Sequence, residues 1–147
     1  MKTLVATVAL AVLATTCALT LPNAHHRADA VRGRYLVERV GLCQDCHSPR
    51  NERGEFVAER WLTGSPLPFA PTIPMPWAQA SKPIAGLPGL DDEQALTFLT
   101  TGVLPGGRTP LPPMPPYRFA HDDALDVIAY LRQPIPPAPI TAAPTKQ

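Results

Sequence analysis

Two cysteines and a histidine lie within five positions, in the stretch C-Q-D-C-H at residues 43–47. Three chemistries use such a stretch. Two thiols at this spacing can form a redox-active dithiol, they can supply half of a zinc site, or they can be alkylated by the two vinyl groups of haem. In the last case the following histidine binds the iron. Each alternative requires something different from the rest of the chain.

The rest of the sequence favours haem attachment. A thioredoxin-like dithiol is expected near a βαβ pattern, and the sequence has none. A structural zinc site needs four ligands, but His47 directly follows Cys46 and no second paired spacing occurs. A Cys43–Cys46 disulfide would close a very small loop and add little stability. Haem attachment uses all three residues, because two thioethers fix the porphyrin and the imidazole becomes an axial ligand.

A second axial ligand would have to come from elsewhere in the chain. Both internal methionines stand between prolines. A thioether is a weak ligand on a flexible stem, so a stiff proline loop would hold it in place, whereas methionine otherwise often fills gaps in a core. Residue chemistry alone leaves five candidates open: Met75, Met114, His25, His26 and His121.

The first 24 residues have the pattern of an export signal. Lys2 precedes an uncharged run over residues 4–21, which is typical of a secretory signal peptide. Cleavage is expected after Ala18, Ala24 or Ala30. Eighteen such residues can also just span a bilayer, so a retained N-terminal anchor is an alternative, and a lipid-modified Cys17 is another. The sequence therefore predicts a periplasmic protein, either free or associated with the membrane through its N-terminus.

Proline dominates the composition and limits the predicted helices. The chain has 20 prolines in 147 residues, and each one fixes φ and removes an amide donor. Apolar periodicity predicts helices over residues 28–41, between Asp91 and Gly102, and over 122–132, with Gln94 completing a capping box at Asp91. Their buried faces are predicted to consist of Val31, Tyr35, Leu36 and Val40; Ala95, Leu96, Phe98 and Leu99; and Leu125, Ile128, Ala129 and Leu131.

These elements predict one domain over residues 25–133, followed by a Pro-rich disordered tail at 134–147. The formal net charge is +1, and it falls to zero when residues 1–24 are removed with Lys2. The sequence shows no basic stripe, which argues against a nucleic-acid partner.

Further segments extend the pattern beyond C-Q-D-C-H. They read R-G-R-Y-L-V, I-A-G-L-P-G-L, F-L-T-T-G, P-P-M-P-P-Y-R-F and D-V-I-A-Y-L-R, and they fall within about residues 30–133. Together they resemble the class I c-type cytochromes, particularly monohaem bacterial cytochromes and the single-haem units of dehydrogenase cytochrome subunits. The resemblance implies an all-α, cytochrome c-like fold, in which about three main helices and long Pro-rich loops surround one covalently bound haem c.

The resemblance also implies roles for individual residues. The axial methionine of the family precedes the terminal helix, and Met114 has that position. The T-G-S-P-L stretch at 63–67 is similar to a family loop whose proline carbonyl accepts the second N–H of the axial histidine; the extra Ser65 leaves open whether Pro66 does so here. Helix crossing in the family implies that Gly33, Tyr35 and Tyr130 lie where the first and last helices meet. Weaker candidates for contacts to the haem propionates are Trp61, Tyr35, Arg50 and Arg60.

The function that the resemblance implies is single-electron transfer without a catalytic residue. Its partners would be redox proteins, with a dehydrogenase as donor and an oxidase or another cytochrome as acceptor. One alternative is the haem subunit of a periplasmic dehydrogenase complex. Another is a haem sensor or enzyme with an open coordination position.

Overall fold

The computed structural model describes residues 26–133, which form an all-helical fold. Backbone pairing outside the helices is limited in this range to isolated antiparallel bridges. The all-α prediction is confirmed. None of the helices between residues 26 and 133 is long and apolar enough to cross a membrane. The predicted signal peptide, the candidate ligand His25 and the predicted tail lie outside the described residues.

The three main helices form where the sequence predicts them. Helix α1 (Ala30–Tyr35) continues as a π-helical turn (Leu36–Val40), and the short helix α2 (Cys43–His47) follows. A 3₁₀ turn (Ala58–Arg60) precedes helix α3 (Asp92–Thr101), and helix α4 (His121–Leu131) closes the fold. The predicted capping box of α3 is present, and Gly102 ends that helix in the left-handed conformation.

Helices α1 and α4 cross at Gly33, where the two backbones come very close. A Cβ atom at this position would lie 1.9 Å from the carbonyl oxygen of Asp126 and 3.0 Å from Cβ of Tyr130. Only glycine permits this approach. The predicted crossing is therefore confirmed for Gly33 and Tyr130, while Tyr35 is 55% exposed and contributes little to it.

The buried face of the first helix differs from the predicted one. Val31, Tyr35 and Val40 are more than half exposed, whereas Leu36 and Val37 are buried. The close approach at Gly33 centres the buried face on a residue without a side chain, which apolar periodicity does not count. The amide of Gly41 then bonds the carbonyl of Leu36 at 2.7 Å, an i→i+5 turn that shifts the helical phase.

The buried faces of the other two helices follow the prediction more closely. In α3, Ala95 and Leu99 are buried. In α4, Ile128 and Leu131 are buried as predicted, but Leu125 and Ala129 are only half-buried. Within residues 26–133, the buried apolar residues are Leu36, Val37, Trp61, Leu62, Leu87, Ala95, Leu99, Ala124, Val127, Ile128, Tyr130 and Leu131.

A buried polar chain links α1 and α4 beside the crossing. The Tyr130 hydroxyl donates to the Glu38 carboxylate at 2.7 Å and accepts the indole N–H of Trp61 at 3.2 Å. Arg34 also bonds Glu38, at 3.0 Å. Because buried polar groups are costly without partners, this chain fixes the relative register of the two helices.

Candidate functional site

Helix α2 holds both cysteines and the histidine of the C-Q-D-C-H stretch on little more than one helical turn. Leu42 begins it in the left-handed conformation, with φ of 50°. Both thiols are free and half-buried. Burial raises the pKa of the Cys43 thiol to about 11 and also raises the pKa of Cys46. The helix therefore presents two neutral thiols, three residues apart.

His47 is fixed by a hydrogen bond from its ring to the main chain. Its side chain is buried, and Nδ1 lies 2.6 Å from the carbonyl oxygen of Lys82. A carbonyl only accepts, so Nδ1 carries the proton and Nε2 keeps its lone pair. Burial lowers the pKa of His47, against the opposing effect of the bond to Lys82. A neutral imidazole with a free Nε2 is the form that binds a metal.

The carbonyl that accepts this bond is that of Lys82 and not that of Pro66, for which the sequence left the role open. Residues 64–67 and 79–81 run antiparallel, with a bridge between Pro66 and Ala80. This hairpin places residue 82, and not residue 66, beside the His47 ring. Residues 68–78 separate the two arms of the hairpin, so the sequence does not show that residue 82 lies near His47.

The end of α2 is fastened to the same hairpin by its backbone carbonyls. The Gly64 amide donates to the His47 carbonyl at 2.7 Å. The Ser81 hydroxyl donates to the Cys46 carbonyl at 2.6 Å. The last two residues of the motif, Cys46 and His47, are therefore held through their backbone carbonyls, which leaves the Cys46 thiol and Nε2 of His47 available for chemistry.

Met114 lies half-buried in a turn of the second Pro-rich loop, residues 109–117. Three hydrogen bonds hold this loop and its exit. The Ala78 amide donates to the Pro112 carbonyl at 2.8 Å, and the Phe119 amide donates to Leu99 at 3.1 Å. The Tyr117 hydroxyl donates to the Gly41 carbonyl at 2.5 Å. The loop that carries Met114 is thus tied to the segment that immediately precedes Cys43.

The alternative axial ligands within the described residues are either exposed or bonded to a carboxylate. Met75 is 44% exposed. His26 bonds the buried carboxylate of Asp126 at 2.7 Å, next to α4. His121 is exposed and lies 3.2 Å from Asp122.

The weaker candidates for propionate contacts either form bonds to other protein groups or are exposed to solvent. Trp61 is buried and its indole N–H donates to the Tyr130 hydroxyl, so a contact from Trp61 to a propionate stays a prediction. The guanidinium of Arg50 lies 3.8 Å from the centre of the Phe56 ring and bonds the Gly54 carbonyl. Arg60 and Tyr35 are exposed.

Sequence reasoning missed three residues that shape this site: Ser81, Lys82 and Tyr117. Lys82 acts through its main-chain carbonyl, and no pattern of side chains predicts that role. Ser81 acts through a contact over 35 positions. Only Tyr117 had a signal, because it follows Met114 by three positions in P-M-P-P-Y.

These residues fit a covalently attached haem. Two free thiols on one short helix match two thioethers, and the tautomer fixed by Lys82 leaves Nε2 of His47 for the iron. Within residues 26–133, no group of three or more His, Cys, Asp or Glu side chains is arranged to hold a metal ion.

Comparison with known proteins gives two partial relatives, and no family model matches the chain. A protein of Cereibacter sphaeroides named "Diheme cytochrome c-type" is 57% identical over 37 residues, which are 25% of this chain and 12% of the relative. The "Fructose dehydrogenase cytochrome subunit" of Gluconobacter japonicus is 32% identical over 79 residues, which are 52% of this chain and 15% of the relative. The chain thus spans less than a sixth of either relative's length.

The motif, the helical fold and the two partial relatives all support the same class, that of the c-type cytochromes. Haem c is the cofactor that this class implies, and electron transfer is its general role. Within the class, the similarity to the cytochrome subunit of a dehydrogenase covers about half of the chain. The similarity to the diheme cytochrome is closer but shorter.

Proposed function

We propose that the chain binds one haem c and carries single electrons in a periplasmic respiratory or dehydrogenase-linked chain. Cys43 and Cys46 would form the two thioethers, and His47 and Met114 would be the axial ligands. The observation that carries the proposal is the bond from His47 Nδ1 to the Lys82 carbonyl, because it fixes the tautomer that an axial ligand needs. Haem, when bound, supplies the one-electron couple between ferric and ferrous iron.

The protein's own residues control the potential and the access of other ligands. The buried, neutral His47 is held by Lys82 and has no proton to lose before ligation. Met114 is on a loop tied to Gly41 through Tyr117, so its position does not depend on the weak thioether bond. Ligation by methionine and histidine raises the potential and closes the iron to substrate. A closed site supports electron transfer and needs no catalytic residue.

A haem-stained gel combined with an intact mass tests this proposal. The full chain is expressed with its N-terminal segment in a bacterium that attaches haem c. The expected result is a haem-staining band whose mass equals the processed chain plus one haem, recovered from the periplasm. A chain with no haem, or with haem that denaturation removes, would refute covalent attachment. The replacement of both Cys43 and Cys46 by serine is the matched control.

A second candidate is a haem subunit of a periplasmic dehydrogenase complex, which passes electrons from substrate oxidation to the respiratory chain. The similarity to the cytochrome subunit of fructose dehydrogenase supports it. The relevant partners would be a dehydrogenase as donor and an oxidase or another cytochrome as acceptor. Purification without detergent from the native membrane fraction and from the periplasm separates the candidates. A stable larger subunit carrying dehydrogenase activity favours the complex, and a free chain favours the diffusing carrier.

A further inference from the structure

The Ser81 hydroxyl connects three backbone segments next to the proposed haem site. It donates to the Cys46 carbonyl at 2.6 Å and accepts the Ser65 amide at 2.8 Å. The Ser81 amide in turn donates to the Ser65 carbonyl at 2.8 Å. One side chain therefore joins the end of α2 to both arms of the hairpin formed by residues 64–67 and 79–81.

The position of Ser81 in the chain gives these bonds a consequence for His47. Lys82 is the next residue, and its carbonyl accepts the proton of Nδ1. Cys46, which receives the Ser81 hydroxyl, directly precedes His47. We call the bonds of the Ser81 hydroxyl to Cys46 and Ser65 the Ser81 clamp. The clamp acts on the residue before His47, whose ring is the donor, and on the residue before Lys82, whose carbonyl is the acceptor.

We propose that Ser81 is a positioning residue that sets the strength of the hydrogen bond from His47 to the Lys82 carbonyl, and through it the redox potential of the iron. The inference rests on the proposed function, since it takes His47 as the axial ligand. A strong bond at Nδ1 makes the imidazole a more basic ligand. A more basic ligand favours the ferric state, so loss of the clamp raises the midpoint potential.

The test compares Ser81→Ala with Ser81→Thr and Ser65→Ala in the intact holoprotein. Ser81→Ala removes the clamp, and Ser81→Thr keeps a hydroxyl on an extended segment that suits a β-branched residue. Ser65→Ala removes a hydroxyl from the opposite arm, where Oγ bonds only its own neighbour's carbonyl, that of Pro66. Two quantities are measured: the midpoint potential and the solvent exchange rate of the His47 Nδ1 proton by nitrogen-15 NMR of the ferrous protein.

The expected result for Ser81→Ala is a higher potential together with ring-proton exchange that is at least several-fold faster. Ser81→Thr returns both values towards wild type, and Ser65→Ala leaves both unchanged. Wild-type values in Ser81→Ala would overturn the inference, even if the melting temperature falls, and so would equal effects of Ser81→Ala and Ser65→Ala. If Ser81→Ala yields no holoprotein, Ser81→Thr must yield it, and failure of both variants overturns the inference.

Failure of the proposed function has a different signature. A wild-type chain without haem refutes the proposed function. The exchange rates of the ring proton in that wild-type chain and in Ser81→Ala then still decide whether Ser81 holds the bond from His47 to Lys82. A wild-type holoprotein whose ring proton is protected, combined with an unaffected Ser81→Ala variant, refutes only the inference.

Discussion

Met114 is the proposed second axial ligand, and closed coordination of the haem would depend on it. We expect Met114→Ala to open one axial position, so that the ferrous protein binds carbon monoxide readily and its potential falls, because the thioether no longer favours the reduced state. Reduced-minus-oxidised spectra and a carbon monoxide titration measure both effects. Met75→Ala is the matched control, since Met75 also stands between prolines but is 44% exposed.

Two outcomes would contradict the assignment of Met114. If Met114→Ala leaves the spectra and the carbon monoxide response unchanged, Met114 is not the ligand, and an equal change in Met75→Ala would transfer the role to Met75. A wild-type protein that already binds carbon monoxide readily would favour the haem sensor or enzyme with an open position.

Tyr117 gives a second prediction for a single residue, because its hydroxyl ties the Met114 loop to Gly41. A hydrogen bond of this kind contributes about 0.5–1.5 kcal/mol net. Tyr117→Phe should therefore raise the population of the open loop about 2- to 10-fold, as that free energy implies. Carbon monoxide should bind the ferrous protein faster by the same factor in stopped-flow measurements.

The control for Tyr117 is Tyr35→Phe, which removes a hydroxyl from a tyrosine that is 55% exposed. It should leave the rate unchanged. Equal rates for wild type and Tyr117→Phe would show that the hydroxyl does not restrain the loop.

At the scale of elements, the segment before α1 is joined to α4 by an ionisable pair. Asp126 is fully buried, and Oδ1 accepts bonds from the His26 ring and the Asp29 amide, both at 2.7 Å. The hydrogen bond to Asp126 raises the pKa of His26. Burial of Asp126 opposes its ionisation, but the Asp29 amide and His26 outweigh burial and hold its pKa below the ordinary value.

Some of the charged groups around this pair raise the pKa of His26 and others lower it. Asp122 lies 3.9 Å from the His26 ring and also favours its protonation, while Arg32 opposes it. Arg32 is 3.3 Å from the second oxygen of Asp126. The net effect is a histidine that is more readily protonated in the folded than in the unfolded protein.

We therefore expect the stability that protonated His26 contributes to depend on pH. Because the folded pKa is the higher one, the contribution is complete below the unfolded value of about 6.5. It is lost as the pH rises through the folded pKa. The free energy of unfolding of wild type, minus that of His26→Gln, should decline over this range in urea titrations from pH 5 to 9. Glutamine keeps a donor to Asp126 but does not titrate, so a difference that stays flat or rises with pH contradicts the pair.

The helices also show which structural features could be predicted from sequence patterns and which could not. The caps and ends of α3 follow from local chemistry at Asp91, Gln94 and Gly102, and these were predictable. The buried face of the first helix was not, because its closest contact is made by Gly33, and a π-helical turn then shifts the phase. Apolar periodicity counts large side chains and assumes 3.6 residues per turn, and both assumptions fail there.

The candidate site divides in the same way. The motif at Cys43, Cys46 and His47 is local, so its chemistry could be read directly from its spacing. The acceptor for the His47 ring could not, because Lys82 is 35 positions away and contributes only a main-chain carbonyl. Such a partner follows from the path of the hairpin, which depends on backbone pairing across a Pro-rich insertion that has no periodic pattern.

For the whole molecule, the last described residues close the fold around α3 and the preceding loop. Arg132 bonds Asp92 at 2.9 Å and the Leu90 carbonyl at 2.7 Å, and it also reaches the Gly86 carbonyl. The Gly86 amide donates to the Leu131 carbonyl at 2.7 Å. Leu131 itself is buried. The predicted domain boundary at residue 133 therefore falls directly after a set of structural contacts.

Two truncations test that boundary in the holoprotein. A chain that ends at Gln133 keeps every one of these contacts, so its melting temperature should lie within a few degrees of the full chain. A chain that ends at Tyr130 loses burial of Leu131, worth about 1.5–3 kcal/mol, and the bonds of Arg132, each worth about 1 kcal/mol net. At about 4–8 °C per kcal/mol for a domain of this size, its melting temperature should fall by at least about 10 °C. Equal melting temperatures for the two truncated chains would place the boundary before residue 131, and a large loss on ending at Gln133 would make residues 134–147 part of the folded unit.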